Sequence, residues 1–268
     1  MTKIRRHVTK QRQQEILWGS IALLTAIAIA AAAGYVLLSR PRDIDPKTLC
    51  PADGPRGHYV LLVDTTDLPG FTQKLALEVI LRDIVEKRIP EGCLVSVFAI
   101  GEDVEANAEP LIERCNPGTG EDRSPMTANL KRLRHRFDKQ FRDALLKAVL
   151  PLLHCQPAQA SPILEMLQMT GVNAFRRHGV QGERRLIVVS DMLHHTPQFS
   201  MYRGVLDYSA FSDSGYARKV EAELAGVEVE IHYLINKPER QTRRNLAFWE
   251  QHFRKAGARI VSVRPVEG

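Results

Sequence analysis

The chain has 268 residues, an apolar share of 44%, ordinary for a globular protein, and room for about one domain beyond its N-terminal segment. Lys plus Arg (37) exceeds Asp plus Glu (31) by only 6, and part of that excess sits at the N-terminus. So small a basic surplus does not mark a nucleic-acid-binding protein.

Residues 1–15 form a basic tail with Lys3, Arg5, Arg6, Lys10 and Arg12. Residues 16–38 carry no charge and are long enough to cross a bilayer as one helix, with Trp18 and Tyr35 near the two interfaces. A cleaved signal peptide is the alternative, with a small-residue cleavage site within Ala28–Ala33; a buried core helix is the least suitable, for want of a polar face. Five basic residues precede the span, and Arg40, Arg42 and Lys47 follow it. That balance puts the N-terminus in the cytoplasm and the rest in a periplasmic or other extracytoplasmic space. Ala26, Ala30 and Gly34 recur at four-residue spacing, which an Ala-rich span produces by composition alone. Residues 39–57, rich in Pro and Gly, read as a linker.

The domain spans 58–268. It opens with His58–Val63, a Val/Leu-rich run that reads as a strand buried on both faces and ends at Asp64. An apolar helix follows over 72–89, then a strand at 93–100 and a short returning strand within 104–114, with Pro110 suited to an edge. Residues 116–127 read as loop and 128–150 as a long helix, together marking a helical insertion at about 116–156. The insertion's first half carries Lys131, Arg132, Arg134, His135, Arg136, Lys139 and Arg142. This basic run reads as a solvated face with Asp138 and Asp143 as neighbours, or else as a surface for phosphate or an acidic partner. Ser161-Pro162 has the form of a helix cap followed by a first-turn proline, opening a helix over 163–177. A second apolar strand, 185–191, also ends in Asp. A loop over 192–213, a helix at 215–225, a strand at 227–235, a helix at 238–256 and a strand at 258–263 complete the pattern. Alternating strands and helices predict an α/β fold: a doubly wound, mostly parallel sheet with helices on both faces.

Two strands that end in Asp64 and Asp191 would present both carboxylates at one edge of such a sheet, where open α/β folds bind ligands. Thr66, Asp67 and Ser161 belong to the same edge, and this all-oxygen set suits Mg²⁺. As ordinary structure, the same residues would serve as turn and helix-cap residues. His194 and His195 follow Asp191 closely and are candidate partner contacts; adjacent histidines without a spaced ligand read more readily as polar loop residues than as a metal pair.

These residues resemble the von Willebrand factor A (vWA) family, across about residues 58–265. There the first strand ends in Asp-x-Ser-x-Ser, a Thr comes from a later helix-start loop, and an Asp ends the fourth strand, forming a metal-ion-dependent adhesion site. By the resemblance Asp64 matches the first Asp, Thr66 the first Ser, Ser161 the Thr and Asp191 the later Asp, while Leu68 replaces the second Ser. The resemblance implies a membrane-anchored protein-interaction module, not an enzyme, that binds an acidic group of a protein partner with help from Mg²⁺. The alternative is a metal-dependent phosphoesterase using Asp64, Asp67 and Asp191, which lacks an Asp-x-Asp nucleophile motif and a Gly-rich phosphate loop. A third reading, nucleic-acid binding by the 131–142 helix, fails for an exported domain.

Cys50, Cys93, Cys115 and Cys155 contain no Cys-x-x-Cys, so a zinc site is not indicated. Export would permit disulfides, with Cys93–Cys115 and Cys115–Cys155 as the pairings favoured by position. In the cytoplasm all four would be reduced.

Overall fold

The computed structural model describes residues 18–35, 44–121, 129–154 and 156–268. The basic tail, Arg40, Arg42, residues 122–127 of the predicted loop and Cys155 lie outside the described residues.

Helix α1, Trp18–Tyr35, is 18 residues long, apolar and exposed along its length. It is long and apolar enough to cross a membrane, which supports a single-pass membrane protein, and its exposure removes the core-helix alternative. It forms a unit separate from the α/β domain.

The domain is built on six strands: β1 (Gly57–Asp64), β2 (Leu94–Ile100), β3 (Ile112–Cys115), β4 (Glu183–Ser190), β5 (Glu228–Leu234) and β6 (Arg259–Val266). Their order is β3-β2-β1-β4-β5-β6, with β3 antiparallel to β2 and every other pairing parallel. The order reverses between β1 and β4, which lie side by side with Val63 opposite Val189. β1 and β2 are buried along their whole length because helices cover both faces, so both read as unbroken apolar runs.

Helix α2 (Phe71–Asp83) continues into a π turn, Ile84–Arg88. The predicted insertion helix is divided into α3 (Leu130–Arg136), a π turn (Phe137–Arg142), α4 (Asp143–Val149) and a 3₁₀ turn (Leu150–His154). α5 (Ile163–Thr170) also ends in a π turn, and the predicted 192–213 loop holds the short helix α6 (Tyr208–Ser212). α7 (Gly215–Lys219) is shorter than expected, and α8 (Arg243–Lys255) starts later than Pro238. The residues before α8 are held as a turn, because the Gln241 side chain accepts from the backbone N–H groups of Asn236 and Lys237. Pro110 precedes β3 rather than lying in it.

Each sheet face carries its own core. Val60, Leu62, Val188 and Ile231 pack with Phe248, Trp249 and the α5 residues Leu164 and Leu167. Leu61, Val63, Ile187 and Val189 pack with Leu77 and Leu81 of α2 and Leu145 and Val149 of α4.

The disulfide is Cys50–Cys115, which corrects both favoured pairings. Residues 44–51 fold back on the domain: Leu49 adopts a left-handed φ of 61° and buries its side chain, and the Cys115 N–H donates to Thr48 O at 2.8 Å. That turn brings Cys50 to the end of β3. Cys93 is free and buried.

Candidate functional site

The strand order reverses between β1 and β4, and the C-terminal edge of the sheet at that reversal is the crevice position at which open α/β folds bind ligands. Asp64 is the last residue of β1, and Asp191 is the first residue past β4. Both side chains are buried.

Asp64 is held from two sides. Its Oδ1 accepts from the Thr66 hydroxyl at 2.6 Å and the Thr66 backbone N–H at 3.0 Å, a tight local turn. Its Oδ2 accepts from the Ser190 hydroxyl at 2.6 Å across the β1–β4 pairing. Burial still raises its carboxyl above the usual range against the pull of these three hydrogen bonds, and the charge of Asp67 adds to the rise.

Asp191 is less well provided. Its Oδ1 accepts from the Leu193 N–H at 2.8 Å, while its Oδ2 is buried with no hydrogen-bond donor. Burial, then the charges of Asp64 and Asp67, push its carboxyl up to about 8. The phenol of Tyr202 is raised as well, by burial first and then by the same three carboxylates. The crevice is thus an acidic cluster without a cationic side chain bonded to Asp64 or Asp191 among the described residues.

Ser161 does not cap α5, contrary to the reading of Ser161-Pro162. The N-cap position is Pro162, and Ser161 pairs its backbone with His195 through bonds of 2.7 and 2.9 Å. Its hydroxyl is left buried and unpartnered. The helix-cap reading also fails for the first loop, since α2 is capped at Gly70, whose N–H donates to Gln73 Oε1 at 3.0 Å. Leu68, at the position where the resemblance calls for a second hydroxyl, is exposed and supplies none.

The chemistry of this donor set fits a hard divalent cation: carboxylate and hydroxyl oxygens alone, two of them buried without partners. Among the described residues no group of three His, Cys, Asp or Glu is already arranged to hold a metal, so carboxylates alone do not make a cage.

His194 and His195 differ. His194 is fully buried, which removes it as a surface contact. Its Nδ1 lies 3.4 Å from the Leu164 N–H, and its Nε2 lies 3.1 Å from the Tyr216 hydroxyl and 3.3 Å from that of Thr196. Tyr216 also donates to Glu165, whose carboxyl burial pushes up, while burial lowers His194 to about 3. This network ties the start of α5 to the loop after β4. His195 is half-buried, with Nδ1 2.8 Å from Ser200 Oγ.

Sequence reasoning missed several supports of the crevice. Met192 sits at φ 57°, a conformation uncommon outside glycine, directly after Asp191. Its carbonyl accepts from Trp249 Nε1 at 2.8 Å and Asn245 Nδ2 at 3.2 Å, so α8 holds the strained turn in place. Gln241 donates to Asp191 O at 3.0 Å, and Ser190 supplies the hydroxyl described above. The i, i+4 pair Asn245/Trp249 was the available signal: a polar and an indole donor on one face of an otherwise core-facing helix.

The strand order, the antiparallel β3 and the position of the crevice define a vWA-like α/β domain preceded by an apolar helix. No family model matches the sequence, and no curated protein sequence is similar to it. Among solved structures, an aerotolerance-related membrane protein from Bacteroides fragilis NCTC 9343 is similar at 12% identity and a TM-score of 0.36, over 78% of this chain and 90% of that one. The SpRpn10 VWA domain is similar at 10% identity and a TM-score of 0.38, over 79% of this chain and 88% of its own.

Proposed function

We propose that the chain is a membrane-anchored, vWA-like protein-interaction module whose crevice binds a partner's acidic group with the help of a divalent cation. The observation that carries this reading is Asp191 Oδ2, buried, acidic and without a donor. Asp64, Thr66, Ser161 and Asp191 would hold the cation, with Asp67 beside them, and a bound Mg²⁺ would supply the positive charge that this cluster lacks. An exposed apolar stripe adjoins the crevice: Leu68, then Phe71, Leu75 and Val79 along α2. Such a stripe beside a charged site is what a protein partner covers on docking.

The orientation we propose places the N-terminus in the cytoplasm and the domain outside it. The basic flanks support this, and so does the Cys50–Cys115 disulfide, which an oxidising compartment favours. In this reading the chain divides as a tail (1–15), a membrane span (16–38), the segment 39–57 and the vWA-like domain (58–268) with its insertion at about 116–156. Of the segment expected to be a linker, residues 44–57 are held on the domain by Leu49, the Cys50–Cys115 disulfide and the start of β1.

Calorimetric titration of the detergent-solubilised full chain with Mg²⁺ and Mn²⁺ tests the cation. Heat of binding is expected for the wild type and not for Asp64→Ala. No heat, or heat unchanged in the variant, removes the metal from the reading. A compartment-specific reporter fused after Gly268 tests orientation, and activity only in the cytoplasm overturns it.

A further inference from the structure

The basic run of α3 and the π turn that follows it is divided by its partners into two faces. On one, the cations are neutralised: Arg134 pairs with Glu121 at 2.7 Å and with Asp138 at 3.6 Å, Lys139 with Asp143 at 2.9 Å, and Arg142 with Asp138 at 2.6 Å. On the other lie Arg132, His135, Arg136 and Gln140, at the i, i+3, i+4 and i+8 positions of one helical face. Neither Arg132 nor Arg136 has a carboxylate partner among the described residues.

These four side chains form one wall of a cleft of about 450 Å³. The other wall is the turn at Ile44–Leu49, fixed by the buried Leu49, by the disulfide at Cys50 and by the bond from Cys115 N–H to Thr48 O. The one carboxylate in the lining is Asp45, one acid against two guanidinium groups, and its Oδ1 accepts from the backbone N–H groups of Lys47 and Thr48 at 2.7 and 2.8 Å, which holds it in its own turn. Two guanidinium groups, an imidazole and an amide therefore line a cleft with a single carboxylate, so the arginines outnumber the acid. Guanidinium groups so placed suit a phosphate oxygen cluster, and a fixed opposite wall lowers the ordering cost of binding.

We propose that this cleft binds a phosphate group through Arg132 and Arg136, with His135 and Gln140 as further hydrogen-bonding groups. Two sources share that chemistry, an anionic phospholipid headgroup and a soluble phosphate. Ile44, on the cleft wall, follows the last residue of α1 by nine positions in the sequence. A chain tethered this closely to a bilayer meets lipid phosphate at high local concentration. The site is independent of the acidic crevice and does not rest on the cation there.

The full chain in neutral detergent is titrated calorimetrically with inorganic phosphate and, separately, with dihexanoylphosphatidylglycerol, with dihexanoylphosphatidylcholine as the zwitterionic control. Binding of either anion by the wild type is expected, weakened at least about tenfold in Arg132→Gln/Arg136→Gln and within about twofold of wild type in Lys139→Gln. Binding only of phosphatidylglycerol assigns the headgroup; binding of phosphate alone assigns the soluble source. If the double variant does not fold, Arg132→Gln, whose side chain is exposed, gives the same test with about a threefold loss. No heat with either anion, or equal affinity in wild type and variant, overturns the site.

Discussion

Glu230 lies on β5 and Asp191 directly past the end of the neighbouring β4, and both are almost fully buried, at 1% and 2% exposure. Their carboxyls are driven in opposite directions. Glu230 lies against Arg88, which grips both of its oxygens, with Arg264 Nε at 3.5 Å and His232 Nε2 at 3.0 Å. Those partners overcome the cost of burial and hold its carboxyl well below the usual range. Asp191 has one backbone N–H and two neighbouring acids, and burial and repulsion raise it. A structural acid such as Glu230 carries its counter-charge in the fold, whereas Asp191 has no cationic side chain bonded to it among the described residues. That contrast is what makes the crevice, and not the Glu230 cluster, the candidate site.

The contrast is broken most directly at Arg88. Arg88→Met strands a buried Glu230 charge and is expected to cost about 3 kcal/mol, lowering Tm by about 6–12 °C. Adding Glu230→Gln should recover most of that loss, because the stranded charge is gone. A melting scan that shows equal stability for Arg88→Met and wild type would remove Glu230 as the example of a compensated acid.

Asp191 should respond with the opposite sign. A carboxyl raised to about 8 in the fold and near 4 when unfolded binds its proton more tightly in the native state. Its contribution is favourable below about pH 4 and is lost as pH rises through 8. With divalent cations chelated, Asp191→Asn should therefore raise Tm by about 5 °C at pH 8.5 and by much less at pH 5. Glu230 works the other way, since its lowered carboxyl contributes above about pH 4.5 and loses that contribution on acidification. A Tm gain for Asp191→Asn that does not vary with pH would show that Asp191 is not ionising in the crevice.

Ser190→Ala probes the part of the crevice that is satisfied. It removes the hydroxyl that donates to Asp64 Oδ2 and accepts from the Met192 N–H. The expected cost is about 1–2 kcal/mol, read as a lower denaturation midpoint with an unchanged slope.

The sequence revealed the sheet and the two aspartates for a plain reason. β1 is buried along its length and β4 over Leu186–Ser190, so each shows an apolar run (Tyr59–Val63 and Leu186–Val189) with an Asp at or just past its end. That Asp64 and Asp191 meet follows from the strand order alone. The rest depended on backbone that the pattern does not encode. Ser161-Pro162 has every local mark of a cap, yet tertiary pairing with His195 takes the backbone of Ser161, so the cap position falls on Pro162 while the helix starts at Ile163 as expected. Cys50 sits in a Pro- and Gly-rich stretch that reads as a linker, and the left-handed turn at Leu49 returns it to β3. His194 looked like loop polarity because burial of an imidazole depends on Tyr216, Thr196 and Glu165, two of which lie on other elements. Ser190 was hidden as the polar end of an apolar run.

The smallest expected effect on stability is at Ser161, and it is the sharpest test of the contrast. A buried hydroxyl that makes a hydrogen bond costs about 1 kcal/mol to remove, whereas one without a partner costs little to lose and can even relieve the fold. Ser161 Oγ is of the second kind. Ser161→Ala should thus leave Tm within about 1–2 °C of wild type in the presence of a chelator. The same substitution should weaken the calorimetric response to Mg²⁺, because it deletes an oxygen that the fold itself does not use. A variant that loses stability in chelator would mean that the hydroxyl already has a partner, and Ser161 would join Ser190 as a structural residue. A variant that keeps both its stability and its full Mg²⁺ response would confine the cation to the carboxylates and Thr66, and the unpartnered oxygen would cease to be a mark of the site.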